Sequence, residues 1–241
     1  MEYPRSLNSC HPPVKVTQGF QRITPYSRFF STLFAMDLIT FDSGESVRKF
    51  QEADRSALYH VCLATGNSGA SAVHLYNEKD MLGEIYVGPY LSFQPDLSLT
   101  LIQDGVSGYA LAALDTRSFE DTLSKQWWPV ILEKYSNRSP ENFTEREKSL
   151  FGYIQNPPLR PEEIVKDYPS HLHIDLLEKA QGRGIGKAMM QQIFQTLREQ
   201  GSPGVHLGMG AQNARAFTFY TKLGFTLLDK NDDEWTMGLK L

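Results

Sequence analysis

Cysteine is scarce in this chain, with Cys10 and Cys62 the two among 241 residues. Two thiols cannot build a disulfide framework, and nothing around them points to an oxidising compartment. No window approaches the roughly 18 uncharged apolar residues that a membrane span requires, so no membrane partner is expected. A basic excess is missing too: 24 Lys and Arg stand against 28 Asp and Glu, a net charge of −4. General nucleic-acid binders are normally basic, so a nucleic-acid partner is not expected either. No secretory signal precedes the sequons at Asn137 and Asn142, which therefore read as chance matches. No internal repeat is visible. With 41% hydrophobic and 22% charged residues, the chain can bury a core and reads as a soluble protein of the cytoplasm.

The first forty residues differ from the rest. They carry Pro4, Pro12, Pro13 and Pro25, no convincing periodicity, and two acids, Glu2 and Asp37. An acid-poor leader with Arg and Ser is compatible with a mitochondrial transit segment, but its plainer reading is an extension over 1–44. The domain is expected over 45–241. Val47–Phe50 reads as a short strand, and Asp54 as the cap of a helix with Ala57, Leu58, Val61 and Cys62 on one face. Glu84–Phe93 and Leu97–Gln103 read as extended, and Asp104-Gly105 as a hairpin turn before the strand 106–114. Phe119, Leu123 and Trp127 recur every four residues and predict one helix up to about Tyr135. The stretch 116–170 reads as an insertion, polar and Pro-rich beyond Asn137. Strands follow at 172–177 and 205–209, helices at 185–200 and 214–223, and a terminal strand pair at 225–229 and 235–241. The mixture predicts an α/β domain of three layers with a mixed central sheet and helices on both faces.

The chemistry begins at Gln181-Gly182-Arg183-Gly184-Ile185-Gly186-Lys187, between a strand and a helix. Glycines let a backbone approach a ligand closely, and the first helical amides converge on an anion. Three phosphate loops compete for this run. A dinucleotide fingerprint needs a third Gly where Lys187 stands, and a Walker loop needs Gly at 181 and Ser or Thr at 188, where the chain has Gln181 and Ala188. The pattern that fits, Gln-x-x-Gly-x-Gly, resembles the pyrophosphate loop of the GNAT superfamily of N-acetyltransferases. About thirty residues on, Asn213 and the helix closing in Tyr220-Thr221-Lys222-Leu223-Gly224-Phe225 resemble that superfamily's second hallmark. His171-Leu172-His173-Ile174-Asp175-Leu176-Leu177, Val205–Met209, Gly83–Tyr90 and Ala113–Arg117 resemble one branch more narrowly. That branch is the acetyltransferase-like domain at the C-terminus of O-GlcNAcase, with its stand-alone microbial relatives. The chain reads as a stand-alone member.

The resemblance implies a GNAT fold and acetyl-CoA as cofactor, with no metal. It places the cofactor on Leu176, Leu177, Gln181, Gly182, Arg183, Gly184, Ile185, Gly186, Lys187, Asn213, Phe217 and Tyr220. It also gives Tyr220 the protonation of the departing thiolate. His171, His173 and Asp175 alternate, so they share one strand face, and Asp175 or His173 is the candidate base. A hydrogen-bonded polar network and a metal site on the two alternate histidines remain alternatives for that trio. Glu84, Tyr86, Tyr90, Asp115 and Trp127 are candidates for the acceptor pocket. The function implied is transfer of an acetyl group to a primary amine, on a small molecule or a protein, directly within a ternary complex. The alternative is a catalytically silent acyl-CoA-binding or interaction domain. A monomer or a homodimer is expected.

Overall fold

The computed structural model describes residues 36–241. The reading of residues 1–35 as a leader, and Cys10 with it, lies outside them. The described chain forms one eight-stranded sheet in the order β1-β2-β3-β4-β5-β6-β8-β7. The strands are β1 (Asp37–Thr40), β2 (Ser46–Lys49), β3 (Ser98–Ile102), β4 (Val106–Ala113), β5 (Ser170–Leu176), β6 (Gly204–Gly210), β7 (Thr226–Lys230) and β8 (Glu234–Lys240). The helices are α1 (Arg55–Thr65), α2 (Met81–Tyr86), α3 (Gly88–Phe93), α4 (Thr116–Gln126), α5 (Trp128–Ser136), α6 (Glu145–Gln155), α7 (Glu162–Val165), α8 (Ile185–Glu199) and α9 (Ala214–Lys222).

Period-two alternation in β4 builds the layers. Tyr109, Leu111 and Ala113 face a core shared with α1 to α6, and Ala110 and Ala112 face a second core shared with α8 and β6. The sheet is therefore central and covered on both sides, as the mixed pattern of strand and helix signals predicts. All neighbouring strands pair antiparallel except β5 and β6, which run parallel and share two registered pairs, Ser170 with Val205 and His171 with His206. Beyond those pairs the two strands diverge, and the sheet opens.

Four expectations are corrected. Asp37–Thr40, placed in the extension by the sequence, is an edge strand paired with β2, so the sheet begins before residue 45. Glu84–Phe93 is helical in α2 and α3, not extended. That segment packs on both α1 and β4, so apolar residues occur on all its sides and no helical period shows. Its glycines permit the approach: a Cβ at Gly83 would lie 2.5 Å from the Tyr59 ring. The helix drawn through to Tyr135 is broken at Trp127, because Pro129 has no N–H for the preceding turn and instead starts α5.

The fourth correction concerns Asp54, which makes no side-chain cap to α1. Its carboxylate takes both Arg48 guanidinium nitrogens, at 2.7 and 2.8 Å, and the Gln51 N–H at 3.0 Å. Burial alone would raise this carboxyl, but the Arg48 guanidinium and the Gln51 amide outweigh it and hold it below its ordinary value. Asp54→Ala strands a largely buried guanidinium and should cost about 3 kcal/mol at pH 7. The sign follows from linkage: a depressed folded value gives stability that is present above the unfolded value of about 3.9 and is lost as pH falls through the folded one. Urea unfolding at pH 7 and near pH 3 should therefore show the gap between wild type and variant shrinking in acid.

Candidate active site

Where β5 and β6 part, a cleft of about 610 Å³ opens against the start of α8 and one side of α9. Its floor comes from Ile174, Asp175 and Leu176, and one wall from Gln181, Gly182, Gly184, Gly186 and Lys187. The other wall is Asn213, Arg215, Ala216, Phe219 and Tyr220, and Thr65, Ser68 and Gly69 complete it from the end of α1. The sequence carried no role for Thr65, Ser68, Gly69, Arg215 or Phe219. The available signal was the Gly/Ser/Ala-rich stretch 66–72, which reads as a bare loop until the fold lays it beside β6.

The glycine loop is built for close approach. Gly182 and Gly184 hold φ of +81° and +79°, a region L side chains rarely adopt, and a Cβ at either would meet no atom within 4 Å. Gly184 is the N-cap of α8 and brings no side-chain cap, so the first amides of that helix have no internal partner. Those amides and the helix dipole suit an anion. Gln181 Nε2 donates to Leu176 O at 2.6 Å, while its Oε1 is buried without a partner, an acceptor waiting for a donor. Past His171 the side of β5 that faces β6 carries no registered pair, which suits an extended ligand bearing amides.

Several residues assigned to the cofactor do other work. Arg183 turns away to pair with Glu45 and to donate to Lys179 O at 2.9 Å, fastening the loop to the turn after β1. The Ile185 side chain is buried in the core, so its backbone is what the loop offers. Leu177 donates its N–H to Ser107 O and packs against the other core. Phe217 stands edge-on to Trp235 at 5.3 Å, and the aromatic wall of the cleft is Phe219 instead. Asn213 caps α9, its carbonyl accepting the Ala216 N–H at 3.0 Å, which leaves its amide nitrogen for the cleft.

Asp175 and Tyr220 do meet in the cleft. Burial pushes the Asp175 carboxyl up to about 6, against hydrogen bonding that pulls it down. Tyr109 Oη donates to Asp175 Oδ2 at 2.5 Å. Burial, then the charge of Asp175, raises the Tyr220 phenol, so it keeps its proton. His173 is not part of the cleft. Its ring lies edge-on to Tyr86 and Tyr90 at 6.1 and 5.3 Å, and burial together with Arg160 lowers it to about 4. His171 is tied to Thr116 Oγ1 at 2.8 Å, and His206 Nδ1 to Tyr168 O at 2.7 Å. Thr116 gives its own hydrogen to Pro169 O, so His171 Nδ1 must be the donor to Thr116. The alternation of His171, His173 and Asp175 thus sorts into a histidine and aromatic cluster outside the cleft and one carboxylate that lines it.

The acceptor candidates lie away from this cleft. Glu84 is buried and accepts from Lys134 Nζ and Tyr135 Oη at 2.5 Å each. Trp127 Nε1 donates to Glu84 O at 2.8 Å, and Asp115 caps α4 by accepting the Ser118 N–H at 2.8 Å. Tyr86 and Tyr90 pack around the histidines. Among the described residues, no three His, Cys, Asp or Glu side chains gather as a metal site.

Comparison with known proteins gives the fold and the family. The sequence profile of the acetyltransferase (GNAT) family matches residues 109–225, which span the sheet opening, the loop and α9. A crystal structure described as that of SsHAT superposes with a TM-score of 0.74 at 31% identity, over 81% of this chain and 98% of its own. Protein O-GlcNAcase of Rattus norvegicus is 26% identical over 208 residues, 85% of this chain. The chain spans about a quarter of that relative, 23% of its length. The PaiA N-acetyltransferase of Thermoplasma acidophilum, crystallised in complex with coenzyme A, shares the fold at a TM-score of 0.51 and 15% identity, over 82% of this chain and 99% of its own.

Proposed function

This chain belongs to the GNAT acetyltransferase family, and from that premise we propose that it is an acetyl-CoA-dependent N-acetyltransferase acting on a primary amine by direct transfer. The observation that carries the reading is the meeting of Asp175, with its raised carboxyl, and protonated Tyr220 in the cleft whose other end is the glycine loop. The residues present fit the cofactor: open glycines at a bare helix N-terminus for the pyrophosphate, and the free side of β5 with Gln181 Oε1 for the amides of the pantetheine arm. Acetyl-CoA supplies an acetyl thioester, whose carbon accepts a nitrogen lone pair and whose sulfur leaves as a thiolate.

The side chains then divide the proton traffic. Asp175 takes the proton that an ammonium must lose before its lone pair can attack. Tyr220 gives a proton toward the sulfur as the C–N bond forms and the C–S bond breaks, and its phenolate takes the second proton that the acylated nitrogen must lose to become a neutral amide. Gly184, Gly186 and the helix amides hold the cofactor's charged end, and Asn213 Nδ2 stands over the cleft beside Gly69.

A panel of small and peptide primary amines with acetyl-CoA, read by free-thiol release and by the mass of the product, tests the assignment. Amide products are expected, with kcat/KM rising through about pH 6 as Asp175 loses its proton. Asp175→Asn should lower turnover by about 10²-fold and remove that limb. Tight acetyl-CoA binding without any product across the panel would favour a silent acyl-CoA-binding domain.

A further inference from the structure

We propose that Tyr109 is a positioning residue for this reaction: its phenol holds one oxygen of Asp175 so that the other faces the acceptor amine. The inference rests on Asp175 being the base. Tyr109 stands directly opposite Asp175 in the antiparallel register of β4 and β5, on the same face. It is wholly buried, at 0% exposure, and its Oη lies 2.5 Å from Oδ2. Asp175 lines the cleft, and among the described residues its Oδ1 forms no hydrogen bond. Unlike the other large aromatics of that core, this one directs its polar tip at a group of the cleft.

The surroundings make Tyr109 the leading donor to this carboxylate. From α1, the Thr65 hydroxyl lies beside the carboxylate but donates to Val61 O at 2.8 Å. Cys62, also on α1, sits against the Tyr109 phenol, and burial keeps its thiol protonated. From α9, Tyr220 feels the Asp175 charge. His173 lies two residues back on β5 and is neutral. Lys187, Arg215 and Lys222 line the same cleft from α8 and α9, yet none of them shifts the Asp175 carboxyl. Two neutral hydroxyls therefore oppose the desolvation of the carboxylate, Tyr109 ahead of Thr65. A donor to the charged form lowers a carboxyl, so removing it raises the titration midpoint.

Infrared titration of the full chain reads this without reference to turnover. The protonated-carboxyl band that disappears in Asp175→Asn should titrate near pH 6 in the wild type. In Tyr109→Phe it should move up by about one pH unit, and the acidic limb of kcat/KM should move with it while acetyl-CoA affinity measured by calorimetry stays put. If Tyr109→Phe does not fold, 3-fluorotyrosine placed at 109 keeps the shape and donates more strongly, and the band should move down. A band that stays in place in folded Tyr109→Phe or in the fluorotyrosine protein overturns the proposal. Full turnover by Asp175→Asn would remove the base, and the role of Tyr109 with it, while the band still moved, so the two failures are told apart.

Discussion

Gly184→Glu should abolish acetyl-CoA binding while the fold stays close to wild-type stability. The glycine sits at φ +79° on the N-terminus of α8, and a side chain there would extend into the cleft, since its Cβ meets no atom within 4 Å. Two costs separate cleanly. The left-handed conformation penalises any L residue by about 1 kcal/mol, which in a domain of this size lowers the melting temperature by only a few degrees. The glutamate adds a negative charge where the loop amides and the helix dipole serve an anion, and like charges in such a site cost several kcal/mol, or about 10³-fold in affinity. Gly184→Ala pays the first cost without the second. Calorimetry should give a large loss for the glutamate and a small one for the alanine, with both variants melting alike. Unchanged affinity in Gly184→Glu would place the pyrophosphate elsewhere.

What the sequence revealed follows from the range of each interaction. The loop 181–187 and the helix capped by Asn213 are local: a strand end, glycines and a helix start lie within a few residues of one another, so pattern alone located them. Asp175 was legible as one of an alternating trio, but β-strand alternation cannot say which of three polar residues reaches the opening. That is decided by where β5 leaves β6, a contact between positions over thirty residues apart. The acceptor candidates lie away from the cleft for a related reason. Glu84, Asp115 and Trp127 are polar or aromatic residues in apolar surroundings, which looks like a binding site in one dimension. In three dimensions Lys134 and Tyr135 satisfy Glu84, the Ser118 amide satisfies Asp115, and Trp127 donates to Glu84 O. Phe217 and Phe219 are two residues apart on α9, and only the packing of Trp235 against the first assigns the second to the cleft. Tyr109 carried no signal at all, since a tyrosine in a buried strand reads as core until its partner across the sheet is known.

Tyr220→Phe should lower turnover by about 10²–10⁴-fold and leave acetyl-CoA affinity and melting temperature nearly unchanged. The ring is 7% exposed and packs between Phe219 and Phe225, at centroid distances of 5.3 and 5.6 Å, and phenylalanine keeps all of that. Among the described residues the hydroxyl has no hydrogen-bond partner, so removing it orphans none of them and stability should not fall. The raised phenol is the harder point, because a free thiol titrates near 8.5 and a phenol above 10 is the weaker acid. Burial acts on both, however. It raises any thiolate formed in the same cleft as it raises Tyr220, and the buried Cys62 of this chain is shifted in that direction. Desolvation therefore preserves the match between donor and leaving group, and it keeps the phenol protonated until charge appears on sulfur. An interaction made only as that charge develops lowers kcat and kcat/KM together, without weakening the ground-state complex. Full activity in Tyr220→Phe, with an acceptor the wild type acetylates, would return Tyr220 to the core as one aromatic among Phe219 and Phe225.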